Sequence, residues 1–404
     1  MTNEYIRVGT QYYKIIEKPN LFNGSTDTIM VPWSRQAIVD DHGKKFIYDI
    51  PTYNSFVSVP DHLNFQQEIH GCYNIYHKLS HQPKMGEISS TMTFLKHIFG
   101  DQLELGIEYM ALLYLRPIEK LPVLCLVSQE MNTGKTTFLN WLKLIFQRNM
   151  TLNTNEEFKS KFNADWTGKA IIGVDETFLD RKEDSERMKN LSTSKTVKEE
   201  GKGKDKIEIP FFGKFILCSN NEKNFIYIDR EEIRYWVRKI NPLTHDDPFL
   251  LDKLNQEIPA FLHYLISRGI TTERKSRMWF PPEEIETDAL LVLKQNNESI
   301  AEKELKEIIS DYLLTFNLDK AHFVIDELIE RLVKARVKNV NRHYISSILR
   351  DKWRLKPKAN ASTYKSYYFV AESTEILSMT KQGRYYTFLR EDFVETDTSG
   401  AISK

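Results

Sequence analysis

The stretch Leu121–Phe146, LPVLCLVSQEMNTGKTTFLNWLKLIF, constrains the fold more than any other part of the chain. Val123–Val127 is a short, continuous apolar run with β-branched residues, the pattern of a strand buried in a parallel sheet. A polar loop, Ser128 to Gly134, follows and runs into Gly134-Lys135-Thr136-Thr137. Phe138, Leu139, Trp141, Leu142, Ile145 and Phe146 then recur at helical spacing. Strand, loop, Gly-Lys-Thr and helix in this order are the setting of a phosphate-binding loop, which a chance Gly-Lys-Thr would lack. Backbone N–H groups at the loop and helix start point at phosphates. Gly134 lets the backbone come close. Lys135 reaches the β- and γ-phosphates as a point charge, and the Thr136 hydroxyl ligates Mg²⁺. Gln129, Asn132, Thr133, Gly134, Lys135, Thr136 and Thr137 are the expected nucleotide-binding residues, with ATP and Mg²⁺ as cofactors. A glycine usually opens this motif where Gln129 stands, so the first half of the loop must turn without it.

A second buried-strand run, Ala170–Val174, ends in Asp175-Glu176. Two acids at a strand's C-terminal end suit one carboxylate on Mg²⁺ and a second that polarises the attacking water. A third run, Phe211–Cys218, delivers Ser219-Asn220-Asn221, and Asn220 is the first amide placed to sense a γ-phosphate. Between them, Lys195, Lys198, Lys202, Lys204 and Lys206 surround Gly201 and Gly203 in a predicted β-hairpin, either a solvated ribbon or a grip on a phosphate backbone. Asp229–Ile240 is predicted as a short helix running into a strand, and it offers Arg230, Arg234 and Arg238 as arginine-finger candidates.

The 56 basic residues balance the 56 acidic ones, so any nucleic-acid surface must be local. Cys72, Cys125 and Cys218 form no metal-binding pair and suit free thiols in a reducing compartment. The histidines of 62–97 fit packing better than zinc, although His77 and His81 stand four residues apart. No apolar run is long enough to span a membrane. Residues 1–60 read as a β-rich lead-in of unassigned role, with Tyr5–Val8, Tyr12–Ile16 and Lys45–Asp49 strand-like. Residues 61–117 read as a helical collar, with helices expected over Phe65–Leu79, Met92–Phe99 and Leu103–Leu115. The ATPase core is placed at 118–270, a linker and helix at 271–300 and a flexible tail at 393–404.

Residues 301–392 read as helices followed by strands Trp353–Val370 and Tyr385–Phe388, a winged-helix-like arrangement. From Lys334 to Lys365 ten lysines and arginines face the single acid Asp351. Tyr344, Trp353 and Tyr364 interleave, as in a nucleic-acid footprint. Arg342, Tyr344, Arg350, Lys356 and Lys358 are the expected duplex-DNA contacts.

Taken together, NTGKTTFL, VDE, FFGKFILCSNN and RYWVRKI resemble superfamily 3 helicases, and most closely the helicase part of phage and mobile-element primase–helicases. The resemblance covers about residues 90–270. It implies an α/β fold: an AAA+ P-loop ATPase core with a parallel sheet flanked by helices. It also implies a ring, usually a hexamer, with single-stranded DNA in its channel. Lys135 and Thr136 would hold phosphate and Mg²⁺, Asp175 the metal, Glu176 the attacking water, and Asn220 the sensor position. Arg234 would act in trans, and Lys202 or Lys204 would touch DNA. The expected function is ATP-dependent DNA unwinding in replication of a phage or mobile element, in the cytoplasm of a bacterial or phage-infected cell. No primase half is recognisable, which leaves a separate primase partner open. The alternative is an ATP-dependent initiator or loader that binds DNA without processive unwinding.

Overall fold

The computed structural model describes residues 4–19, 26–160, 163–179, 182–200, 206–228, 232–296, 300–337, 340–369 and 376–394. The chain divides into two units, residues 1–293 and 294–404.

The first unit is built on a five-stranded sheet. Its strands run in the order Tyr235–Lys239, Val123–Val127, Lys214–Ser219, Ile171–Val174 and Met150–Asn153, and every neighbouring pair is parallel. The P-loop strand and the acidic strand are therefore separated by Lys214–Ser219. Both faces of the sheet are covered, which is why its strands read as unbroken apolar runs. Leu124 and Leu126 enter one core with the helices Ser89–Phe99, Leu103–Leu115, Lys135–Phe146 and Leu250–Arg268. Val123, Cys125 and Val127 enter the opposite core with Phe158, Trp166, Met188 and Leu191. Ahead of this layer stands a four-stranded sheet ordered Thr26–Trp33, Gln11–Pro19, Tyr5–Val8, Thr52–Tyr53.

Several expectations are corrected. No helix forms over Phe65–Leu79; short strands Glu68–Ile69 and Cys72–Asn74 lie there instead. His70 and Gly71 both have positive φ (49° and 73°), which interrupts a helix. The buried Asn74 amide then ties the loops together, accepting from Val59 and Tyr76 N–H and donating to the Val59 and Gln66 carbonyls. Lys44–Asp49 is a 3₁₀ helix rather than a strand. The edge strand Met150–Asn153 and the helix Asn155–Lys159, capped by a Thr154–Glu157 box, were not foreseen. No helix precedes Tyr235 within 232–234, where the Glu232 carboxylate caps the N–H groups of Ile233 and Arg234.

In the second unit, helix Ile300–Thr315 is followed by strand Lys320–Phe323, helix Ile325–Lys334 and helix Arg342–Ser347. Leu305, Ile309, Phe323, Leu328, Leu332, Ile345, Leu349 and Phe388 form its core. The two strands expected to make a wing do not pair with each other. Ser362–Phe369 pairs with Ile376–Gly383, which was not foreseen, and Tyr386–Leu389 returns to pair with Lys320–Phe323.

Candidate active site

The C-terminal edge of the parallel sheet, where crevices form in such folds, gathers the sequence-selected groups. The middle strand organises it. The Ser128 N–H donates to the Ser219 carbonyl (3.2 Å) and the Thr177 N–H to the Cys218 carbonyl (2.7 Å). Both the phosphate loop and the acidic turn thus hang from Lys214–Ser219.

Gly134 has φ +82°, a left-handed conformation that an L side chain resists, and a Cβ there would stand 3.0 Å from Phe94. It starts the helix Lys135–Phe146. Lys135 is buried, and its Nζ donates to Thr133 Oγ1 at 2.9 Å. Burial pushes the Lys135 ammonium below the ordinary lysine range, and the Asp175 and Glu222 charges oppose that. Such a desolvated cation gains most from a phosphate partner. The Thr136 hydroxyl donates to Asp175 Oδ2 at 3.0 Å, so the two proposed metal ligands meet across the end of the middle strand. Asp175 Oδ1 accepts the Glu176 N–H at 3.0 Å. Glu176 itself has φ +51° and an exposed side chain. Among non-glycine residues that backbone is uncommon and worth attention at a functional edge. Thr137, half-buried, follows in the first helical turn.

Asn220 is exposed at the end of the middle strand. The side chain of the neighbouring Asn221 is occupied by its own turn, its Oδ1 accepting the N–H groups of Lys223 and Asn224.

Three loop supports were not foreseen. Where the usual glycine is replaced, the Gln129 N–H donates to Glu222 Oε1 (3.1 Å), and Glu222 Oε2 pairs with Lys239 Nζ (3.0 Å). The exposed Asn132, with φ +52°, accepts the Leu243 N–H through its carbonyl (2.9 Å). His97 bonds the Thr133 carbonyl (3.1 Å). Only the acid just after the Asn-Asn pair hinted at Glu222; nothing local marked His97.

The arginine candidates fare differently. Arg230 lies outside the described residues. Arg238 is tied inward, donating to Gln102, Asp101 and the Phe99 carbonyl. Arg234 Nη1 donates to both oxygens of the buried Glu232, at 2.7 Å each. Its carbonyl accepts the Val123 N–H, at the start of the P-loop strand. The P-loop follows the other end of that five-residue strand, a run of about 16 Å.

The basic segment forms the ribbon Thr196–Glu199 with Ile207–Pro210. Lys202 and Lys204 lie outside the described residues, and Lys206 pairs with Glu200 at 2.8 Å. In the second unit Arg342 pairs with Asp326, Tyr344 packs partly on the core, and Arg350 Nε donates to the Tyr386 hydroxyl. Lys356 and Lys358 are exposed.

Two of the early histidines are tied into the packing. His62 bonds the Tyr76 hydroxyl and the Tyr114 carbonyl, and His81 bonds the Leu144 carbonyl. Among the described residues no cluster of three His, Cys, Asp or Glu could hold a metal, and no helix is long and apolar enough to cross a membrane.

A family model described as a family of unknown function (DUF5906) matches residues 126–238, from the P-loop strand to Arg238. No curated protein matches the chain. Among solved structures, the apo structure of the NrS-1 C terminal region superposes with a TM-score of 0.59 at 18% identity, covering 87% of this chain and 84% of that one. An A form of the same region gives 0.56 at 17% identity, covering 87% and 83%. A structure titled SCCmec type IV Cch - active helicase reaches only 0.39 at 10% identity, over 95% and 93%. The chain thus shares the NrS-1 region's fold: a mixed α/β architecture with a parallel five-stranded sheet flanked by helices.

Proposed function

We propose that this chain is an ATP-dependent DNA helicase of the superfamily 3 type that works as a homo-oligomeric ring, a hexamer, in replication of a phage or mobile element. The observation that carries the reading is the 3.0 Å bond between Thr136 and Asp175 beside the buried Lys135. A hydroxyl, a carboxylate and a desolvated ammonium at the mouth of a left-handed glycine turn fit a magnesium–triphosphate. When bound, ATP supplies the transferable γ-phosphoryl group and Mg²⁺ the positive charge that neutralises it.

The chain's own groups have distinct tasks in this reading. Gly134 and the first turn of its helix present N–H groups to phosphate. Lys135 holds the outer phosphates, Thr136 and Asp175 hold the metal, and Glu176 orients and deprotonates water from its exposed position. Asn220 reports the γ-phosphate, since Asn221 is engaged elsewhere. Arg234 stands too far along the strand to reach its own subunit's phosphates, which supports action on a neighbour. Lys202, Lys204 and Lys206, which the sequence places between the two strands of the ribbon, are assigned to single-stranded DNA. The second unit, with its helices and long hairpin, is assigned a winged-helix role on duplex DNA through Arg342, Tyr344, Arg350, Lys356 and Lys358.

The test is ATP hydrolysis with and without single-stranded DNA, alongside light scattering with ATP and Mg²⁺. Single-strand-stimulated turnover with a ring-sized mass, abolished by Lys135→Ala, is expected. A monomer stimulated only by a particular duplex would replace the motor with an initiator or loader. Hydrolysis unchanged by Lys135→Ala would overturn the site.

A further inference from the structure

The second unit contains a cleft of about 460 Å³ between its two small sheets. Residues of strand Lys320–Phe323 line one side, and residues of strand Ser362–Phe369 line the other. Among the described residues each strand pairs on one side only, with Tyr386–Leu389 and Ile376–Gly383 respectively, and the two sheets are distinct. The Tyr312 hydroxyl stands between them, accepting the Tyr367 N–H at 2.6 Å and donating to the Tyr367 carbonyl at 3.3 Å.

The walls are rich in rings. Tyr364 and Tyr385 are buried at the back, with centroids 5.1 Å apart, and His322 lies 4.6 Å from Tyr385. His322 and Tyr367 are only half-buried, so they offer ring surface to the cleft. Lys320 and Lys365 are exposed at its rim, against the single lining acid Asp319. Burial, with the nearby charges of Lys320 and Lys358, holds His322 below the ordinary imidazole range. The ring is therefore neutral at neutral pH, able to stack on a base and to hydrogen-bond through its outer nitrogen, while Nδ1 is engaged with Thr387 at 3.1 Å.

We infer that this cleft captures one unstacked base of a single-stranded nucleic acid, stacked on the His322 or Tyr367 ring, with its flanking phosphates on Lys320 and Lys365. Aromatic faces beside a cationic rim are the general chemistry of single-strand binding, because every base has a π-face and every linkage a charge. The volume falls within the range of small-ligand sites and is far too small for a duplex. An extended peptide could add to a free strand edge, but the lysine rim favours a polyanion. None of the five residues assigned above to duplex DNA lines this cleft, although Lys358 of that set stands near His322, and capture here does not depend on ATP hydrolysis.

The full chain is photo-cross-linked to a single-stranded oligonucleotide carrying 5-iododeoxyuridine, digested and mapped by mass spectrometry. Adducts on His322 or Tyr367 are expected, and the Lys135→Ala variant should retain them even if turnover is lost. The Lys320→Ala/Lys365→Ala double variant, altered only at the exposed rim, should lower the cleft adduct several-fold while sparing adducts elsewhere. His322→Ala should weaken capture by about 5-fold or more, the equivalent of one lost stacking contact. Adducts confined to residues outside the cleft would overturn the inference. So would equal protection by an unlabelled duplex. Protection of the cleft by an extended peptide, with no adduct there, would assign it to a peptide and likewise reject it.

Discussion

Glu222 offers the sharpest test of how the loop works without its usual glycine. Its carboxylate, only 13% exposed, joins the Gln129 N–H to Lys239 at the end of the neighbouring strand. Two effects of removing it oppose each other. Loss of a hydrogen bond to a charged acceptor costs about 1.5–3 kcal/mol, although hydration of the exposed Gln129 recovers part of it. Loss of a negative charge near the phosphates relieves repulsion and frees Lys239, worth roughly 0.5–1 kcal/mol at a solvent-facing edge. Positioning is the larger, so Glu222→Ala should weaken nucleotide binding by about 5- to 10-fold, a net of about 1–1.4 kcal/mol.

Glu222→Gln separates the two effects, because it keeps an acceptor for Gln129 and removes the charge. Titration with a fluorescent ATP analogue at two salt concentrations gives the affinities. The expected order is Gln close to the native chain and Ala clearly weaker, with little salt dependence of the difference. If both variants bind more tightly, and the gain fades with salt, electrostatics governs and the loop needs no strut. That result would refute the reasoning.

Glu176→Gln should keep ATP binding while reducing turnover by a hundredfold or more, in the range of a lost general base, which single-turnover assays with trapped nucleotide would show. Arg234→Ala should lose hydrolysis alone but regain part of it in mixed rings with a Lys135→Ala subunit; no rescue at any ratio would place the arginine in cis or outside catalysis. Burial pushes His62 down to about 4 and, aided by Arg148, Lys169 and Lys143, His77 down to about 3. Because these folded values lie below the unfolded value, the stability they confer is present above about pH 6.5 and is lost as pH falls, by about 2 kcal/mol for each histidine at pH 5. Urea unfolding at pH 7.5 and 5 should show this, and a His62→Asn/His77→Asn chain whose acid sensitivity is unchanged would contradict it.

What was legible in the sequence and what was not divide along the range of the interactions. In the proposed reading Gly134, Lys135 and Thr136 are adjacent because a phosphate is met by consecutive backbone groups, chemistry that can be written in a short string. The strands Val123–Val127, Ile171–Val174 and Lys214–Ser219 are buried on both faces, so their apolar runs were unmistakable. The strand Ile376–Gly383 is exposed over most of its length and has no burial rhythm to betray it, which is why the wing was paired wrongly. Residues 65–79 carried helix-like spacing, but His70, Gly71 and the buried Asn74 settle them as loops, and no periodic count weighs one amide with four bonds. The same reasoning explains Glu222 and His97, whose partners lie 93 and 36 residues away in the chain. Groups that touch the nucleotide are fixed by local chemistry and appear as motifs. Groups that hold those groups in place need only arrive at the right point in space, and many sequences can deliver them. A loop that lacks a motif glycine is therefore a cue to look for a distant support, and here the Glu222–Lys239 pair is the support found.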